Sequence, residues 1–194
     1  MKTIFTLTLS LCMAAVLVAA DNKSIPGIFN PGELLANDSE LRVAVGEQAP
    51  DFELPGINGA RVRLSDFRGK QHIILTFVPA AWTPVCSAQW PGYNLMIEDF
   101  AELDAVVVGV TVDNIPTLHA WTEAMEGINF RVLSDFYPHG AIAQLYGVLR
   151  SDGTSERALF VIDKKGVIRF IDVHDINERP PMEDLFSALE RIGD

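Results

Sequence analysis

The residues best suited to chemistry stand in one short stretch, Pro79-Ala80-Ala81-Trp82-Thr83-Pro84-Val85-Cys86. A thiol attacks as its thiolate, and thiolates are favoured where positive potential and free N–H groups surround the sulfur. The spacing supplies such a place. Thr83 suits the cap of a helix and Pro84 its first position, so Cys86 falls in the first turn, where unpaired N–H groups and the positive end of the dipole favour an anion. The same cysteine also reads as a small buried hydrophobe, the commoner fate of a lone thiol. On this stretch alone both readings stand.

The elements that must hold this turn alternate in type. Phe52–Pro55 and Arg61–Leu64 flank a Gly-Ile-Asn-Gly turn at 56–59, a hairpin signal. His72–Val78 is a continuous apolar run of the kind buried on both sheet faces. Helical spacing follows from Pro84 to about Leu103, then a second buried strand over Asp104–Val112, a helix over Ile115–Met125 and a short strand over Phe130–Leu133. His139–Tyr146 reads as a helix, with His139 structural or capping at its start. Arg157–Ile162 and Val167–Val173 read as strands joined by a turn at Lys164-Lys165-Gly166, and Pro181 opens a last helix over Met182–Ile192. The order predicts an α/β protein with a central mixed sheet and helices on both faces.

The chain start bears on compartment. Lys2 precedes a mostly apolar run, Ile4–Val18, and Val18-Ala19-Ala20 places small residues before Asp21, which predicts a secretory signal peptide over residues 1–20, cut after Ala20, and a periplasmic or secreted product with no stable membrane insertion. Two rivals remain: an uncleaved anchor, for which the run is barely long enough, and a lipoprotein acylated at Cys12, which bulky Leu11 disfavours. With the leader removed Cys86 is the one cysteine left, an odd thiol for an exported protein. Residues 21–42 read as a linker or arm of little chemistry, and 43–194 as one domain. Fifteen basic side chains against 26 acidic ones, a net charge of -11, argue against a nucleic-acid partner. Few histidines and one mature cysteine leave no metal-ligand spacing, and no cofactor is expected.

The pattern Pro-x-x-x-Thr-x-x-Cys after a core strand (Pro79, Thr83, Cys86) resembles the active-site loop of the peroxiredoxins, the alkyl hydroperoxide reductase and thiol-specific antioxidant family. Further stretches agree: Val45-Gly46-Glu47-Gln48-Ala49-Pro50-Asp51-Phe52, Leu64 to Lys70, Leu133 to Gly140 with Tyr146-Gly147-Val148, and Arg157 to Asp163. The resemblance spans about residues 43–192, and the stretch from Ser134 to Ala141 is most similar to the one-cysteine AhpE-like branch. It implies a thioredoxin-like fold and a thiol-dependent peroxidase acting on hydrogen peroxide, organic hydroperoxides or peroxynitrite. It also implies, residue by residue, that Cys86 is the peroxidatic cysteine, Thr83 the hydroxyl that contacts the peroxide, Pro79 the residue that shields the thiolate and Arg157 the guanidinium beside it. The sulfenic acid left on Cys86 would be resolved by an external thiol or a thioredoxin- or glutaredoxin-like reductant, and relatives suggest a homodimer or higher oligomer, with Trp82 packed at the loop or against a second subunit.

Two departures stand out. Many relatives carry Glu where this chain has Gln89, so its support of the arginine would be neutral or missing, and Pro91 and Gly92 interrupt the helix that follows Cys86. Two other functions share the fold: an exported thiol–disulfide oxidoreductase, since Trp82 to Cys86 has the layout of a thioredoxin loop with Thr83 where its attacking cysteine would stand, and a non-enzymatic redox sensor. A magnitude divides the work of the pocket. Taking a thiol from a pKa of about 8.5 to about 6 raises the thiolate fraction at pH 7 only about thirtyfold, so a larger acceleration needs donors aimed where charge develops.

Overall fold

The structure, a computed structural model, describes residues 25–193; the expected leader, its cut after Ala20 and Cys12 lie outside them. The hairpin forms from β1 (Glu53–Pro55) and β2 (Arg61–Arg63). The main sheet has the order β5-β4-β3-β6-β7, built from β3 (His72–Phe77), β4 (Ala105–Thr111), β5 (Arg131–Ser134), β6 (Arg157–Ile162) and β7 (Ile168–His174). β3, β4 and β5 run parallel because helices cross between them, whereas β6 and β7 are antiparallel across their turn and β6 pairs antiparallel with β3. The sheet is therefore mixed, as expected from the alternation of elements.

Every residue of β3 is buried, and its side chains alternate between two cores. Leu75 and Phe77 join Tyr146 and Phe160 on one face, while Ile74 joins Trp90, Phe100, Leu118 and Trp121 on the other. The second core fixes α1 (Pro84–Leu95). Its Trp90 packs on Trp121 of α3 (Ile115–Ala124) with ring centroids 4.7 Å apart, and Trp121 Nε1 donates to Ser87 Oγ at 2.9 Å. Gly109 of β4 makes the approach possible, because a Cβ there would stand 2.8 Å from the Trp90 ring. The turn that carries Cys86 is thus pinned to the sheet.

Helical structure expected without a break from Pro84 to Leu103 divides into α1 and α2 (Ile97–Glu102). Pro91 lies inside α1 and offers no N–H to the Ser87 carbonyl, yet the helix passes through it. The break comes at Met96, whose N–H turns back to Tyr93 O at 3.0 Å while its own carbonyl accepts from Phe100 N at 3.0 Å. The helix expected from His139 begins instead at Ala141 (α4, Ala141–Tyr146). His139 does not cap it. The Asp135 carboxylate does, accepting from Ile142 N at 3.0 Å and Ala143 N at 2.9 Å, while the His139 ring pairs with Gly153 O at 2.7 Å. The last helix is α5 (Met182–Gly193).

The chain before β1 is fastened at several points. Leu34 and Asn177 exchange two hydrogen bonds of 2.9 Å, Ile176 N donates to Ala36 O at 3.2 Å, and Arg150 Nη2 donates to Leu35 O at 2.8 Å. Arg150 is itself paired at 2.5 Å with Glu156, both buried, and Glu156 accepts from Asp38 N at 2.6 Å. Gly147 lets the arm pass: it has φ +77°, and a Cβ there would strike the backbone of Glu40 and Arg42.

Candidate active site

The loop from the end of β3 to α1 turns at Trp82, which takes a left-handed φ of 62°, uncommon for a bulky residue. Its carbonyl accepts from Phe29 N at 2.8 Å. The half-buried Trp82 ring packs within its own chain, beside Gly27, where a Cβ would touch it at 3.9 Å. Thr83 holds the N-cap position with an extended backbone, but its hydroxyl makes no cap; it donates to Ala80 O at 2.9 Å. A carbonyl can only accept, so the Thr83 proton is committed and its oxygen is left as an acceptor. Pro84 begins the helix without an N–H, and Ser87 N donates to Thr83 O at 3.0 Å. The helix itself has no acceptor for the Val85 and Cys86 N–H groups.

Cys86 is completely buried in that first turn. Arg157, the first residue of β6 and 2% exposed, reaches it across the sheet end: Nη2 lies 3.5 Å from Cys86 Sγ. Three further hydrogen bonds hold the rest of the guanidinium. Nε and Nη2 donate to Ile176 O at 3.2 and 2.9 Å, and Nη1 donates to Gln89 Oε1. Gln89 is held in turn, its Nε2 donating to Tyr93 Oη at 3.1 Å and Thr76 Oγ1 at 3.4 Å. Burial pushes the Tyr93 phenol up, which keeps it neutral. Of the two expectations for this position, a neutral role or a missing one, the neutral one holds: an amide oxygen supports the arginine directly.

Pro79, Thr83 and Arg157 line one cavity of about 460 Å³, with Val85 beside them and the arm from Phe29 to Leu34 as the facing wall. Cys86 sits behind this cavity, and Arg157 is the side chain common to both. A larger hollow of about 940 Å³ opens at the opposite end of β3, around His72, Asp104, Asp163 and Arg191, and holds no nucleophile of the thiol kind. Among the described residues no cluster of His, Cys, Asp and Glu is arranged to hold a metal ion.

Residues 45–171 match the AhpC/TSA family. The chain belongs to that family of peroxiredoxins. Among curated relatives it is 36% identical over 149 residues to alkyl hydroperoxide reductase E of Mycobacterium tuberculosis, covering 75% of this chain and 97% of that one. It is 39% identical over 142 residues to peroxiredoxin-2 of Mus musculus, covering 68% and 70%. Among solved structures, reduced 2-Cys peroxiredoxin from Plasmodium vivax superposes with a TM-score of 0.70 at 27% identity, over 75% of this chain and 80% of that one. These likenesses carry the thioredoxin-like fold.

The family match begins at residue 45, so the arm wall lies before it. Sequence reasoning assigned the arm little chemistry, and it also passed over Ile176, whose contribution is a main-chain carbonyl. Neither has a side-chain pattern to announce it. The arm's Pro, Gly and Asn content reads as linker, and its fixed path comes from hydrogen bonds to distant residues such as Trp82, Arg150 and Asn177.

Proposed function

We propose that this peroxiredoxin reduces peroxides through Cys86, with Arg157, Thr83 and Pro79 forming the pocket. The observation that carries the reading is the Arg157 guanidinium, buried and locked by Ile176 and Gln89, 3.5 Å from a buried Cys86 sulfur. The Cys86 thiolate attacks the terminal oxygen of ROOH; the S–O bond forms as the O–O bond breaks, and RO⁻ leaves and takes a proton to become ROH. Cys86 is left as a sulfenic acid. Thr83 Oγ1, its own proton given to Ala80, accepts the hydrogen of the peroxide and sets its angle. Arg157 and the two free N–H groups of the first turn meet the charge that grows on the departing oxygen, where preorganised donors contribute most. Pro79 closes the wall without adding a competing donor.

With one cysteine among the described residues, the sulfenic acid is returned to thiol by two external thiols, which leave as a disulfide and water. The names of the relatives, alkyl hydroperoxide reductase and peroxiredoxin, support a peroxide substrate. The leader-like residues 1–20 support export to the periplasm or beyond, and an assembly of two or more copies, with residues 43–194 as the catalytic domain, completes the reading. Steady-state consumption of hydrogen peroxide driven by a small dithiol, compared between wild type and Cys86→Ser, tests it. Sustained turnover in the wild type alone is expected; equal rates in both proteins would contradict it.

A further inference from the structure

Hydrogen peroxide occupies little more space than a water molecule, whose share of liquid volume is about 30 Å³. The cavity beside Arg157 is about 460 Å³. The excess volume has a chemical character. Phe29, Pro31, Leu34, Pro79, Val85 and Ile176 present carbon to it, and the acids at its edge, Glu33 and Asp152, would oppose an anionic substituent. Three of those six residues belong to the arm.

The arm is a built wall. Phe29 N is tied to the Trp82 carbonyl of the catalytic loop at 2.8 Å, and Leu34 is tied both ways to Asn177, next to the Ile176 carbonyl that holds Arg157. Phe29 lines the cavity and is 68% exposed. A large aromatic group fixed through its own backbone and left facing a cavity is positioned to cover something apolar.

Resting on the peroxidase reading, we propose that Phe29 and the arm segment to Leu34 determine substrate specificity: they hold the uncharged alkyl substituent of an organic hydroperoxide while its O–O bond lies against Cys86 and Arg157. The reaction is the one already balanced, with R an alkyl chain that leaves as the alcohol. Each methylene that enters the cavity favours binding of the reacting complex by up to about fourfold, so the rate rises with chain length until the cavity is full.

The test measures second-order rate constants for oxidation of the reduced protein by n-alkyl hydroperoxides from ethyl to octyl, each divided by the rate with hydrogen peroxide in the same protein. Wild type is expected to show a ratio that climbs along the series. Phe29→Ala is expected to lower the octyl ratio about tenfold, the loss of one covering aromatic face, and Phe29→Leu to restore most of it. A flat series in the wild type, or an unchanged octyl ratio in Phe29→Ala, overturns the specificity proposal while leaving the peroxidase reading intact. Failure to consume any peroxide, hydrogen peroxide included, overturns both.

Discussion

Arg157 makes four contacts with one planar group, and the geometry suits no other cation. Its fork spans Gln89 Oε1, the Ile176 carbonyl and Cys86 Sγ at once, which a single ammonium on a flexible stem does not reproduce. Arg157→Lys is expected to lower the second-order rate with hydrogen peroxide by about 10²-fold, the usual loss when a preorganised donor is removed; stopped-flow rates equal to wild type would reject this. Gln89 makes a finer prediction. Gln89→Glu keeps an acceptor for Nη1 and is expected to retain activity, whereas Gln89→Leu strands a buried donor at a cost of about 1.5–3 kcal/mol and should lower both the melting temperature and the peroxide rate. Pro79, Thr83 and Cys86 were legible as a local pattern because they share one loop. Arg157 is 71 positions from Cys86, and only family resemblance connected them before the fold did. Thr83 had the right type and place for a cap, and its hydroxyl goes to Ala80 because the turn at Trp82 brings that carbonyl within 2.9 Å.

At the scale of elements, α1 carries both the nucleophile and its own weak point. Pro91 removes the hydrogen bond to the Ser87 carbonyl, one residue beyond Cys86, although the side chain of Ser87 is held by Trp121. The first turn of α1 is expected to open more readily than β3 or β4, offering a Cys86 sulfenic acid to an external thiol. Hydrogen exchange checks this: amides at 86–88 should exchange faster than those of β3, and Pro91→Ala should slow both that exchange and the thiol-reduction step. Protection at 86–88 equal to the core strands would rule the idea out. The strands were readable because continuous apolar runs mark burial on both faces. The break at Met96 was not, since Pro91 announced a disruption five residues before the chain makes one, and the Asn94 side chain that accepts from Asn129 N at 2.6 Å belongs to tertiary packing.

Across the whole molecule the two ends of β3 have different duties. The far end begins with His72, 7% exposed, its Nδ1 without a hydrogen-bond partner among the described residues. Burial, and then the nearby Lys164 ammonium, push the imidazolium below the ordinary value of 6.5, against the opposing pull of Asp163 and Asp104. The unfolded chain then binds this proton more readily than the folded one, so the contribution is fully present above about pH 6.5 and is lost as pH falls below it. Denaturant titrations between pH 8 and pH 5 should show wild type losing stability faster than His72→Gln below pH 6.5; parallel curves would contradict the assignment. Composition and alternation foretold a mixed sheet covered on both faces. They were silent on the arm's path, which depends on a buried Arg150–Glu156 pair and a passage over Gly147 that only the assembled fold brings together.

The most direct test of Cys86 as the reacting centre is a single turnover: reduced protein mixed with one equivalent of hydrogen peroxide, beside Cys86→Ser, with the intact and digested masses read after trapping. Rapid peroxide loss with one added oxygen on the Cys86 peptide is predicted for the wild type alone. Equal peroxide loss in the two proteins, or oxidation confined to methionine, would contradict it.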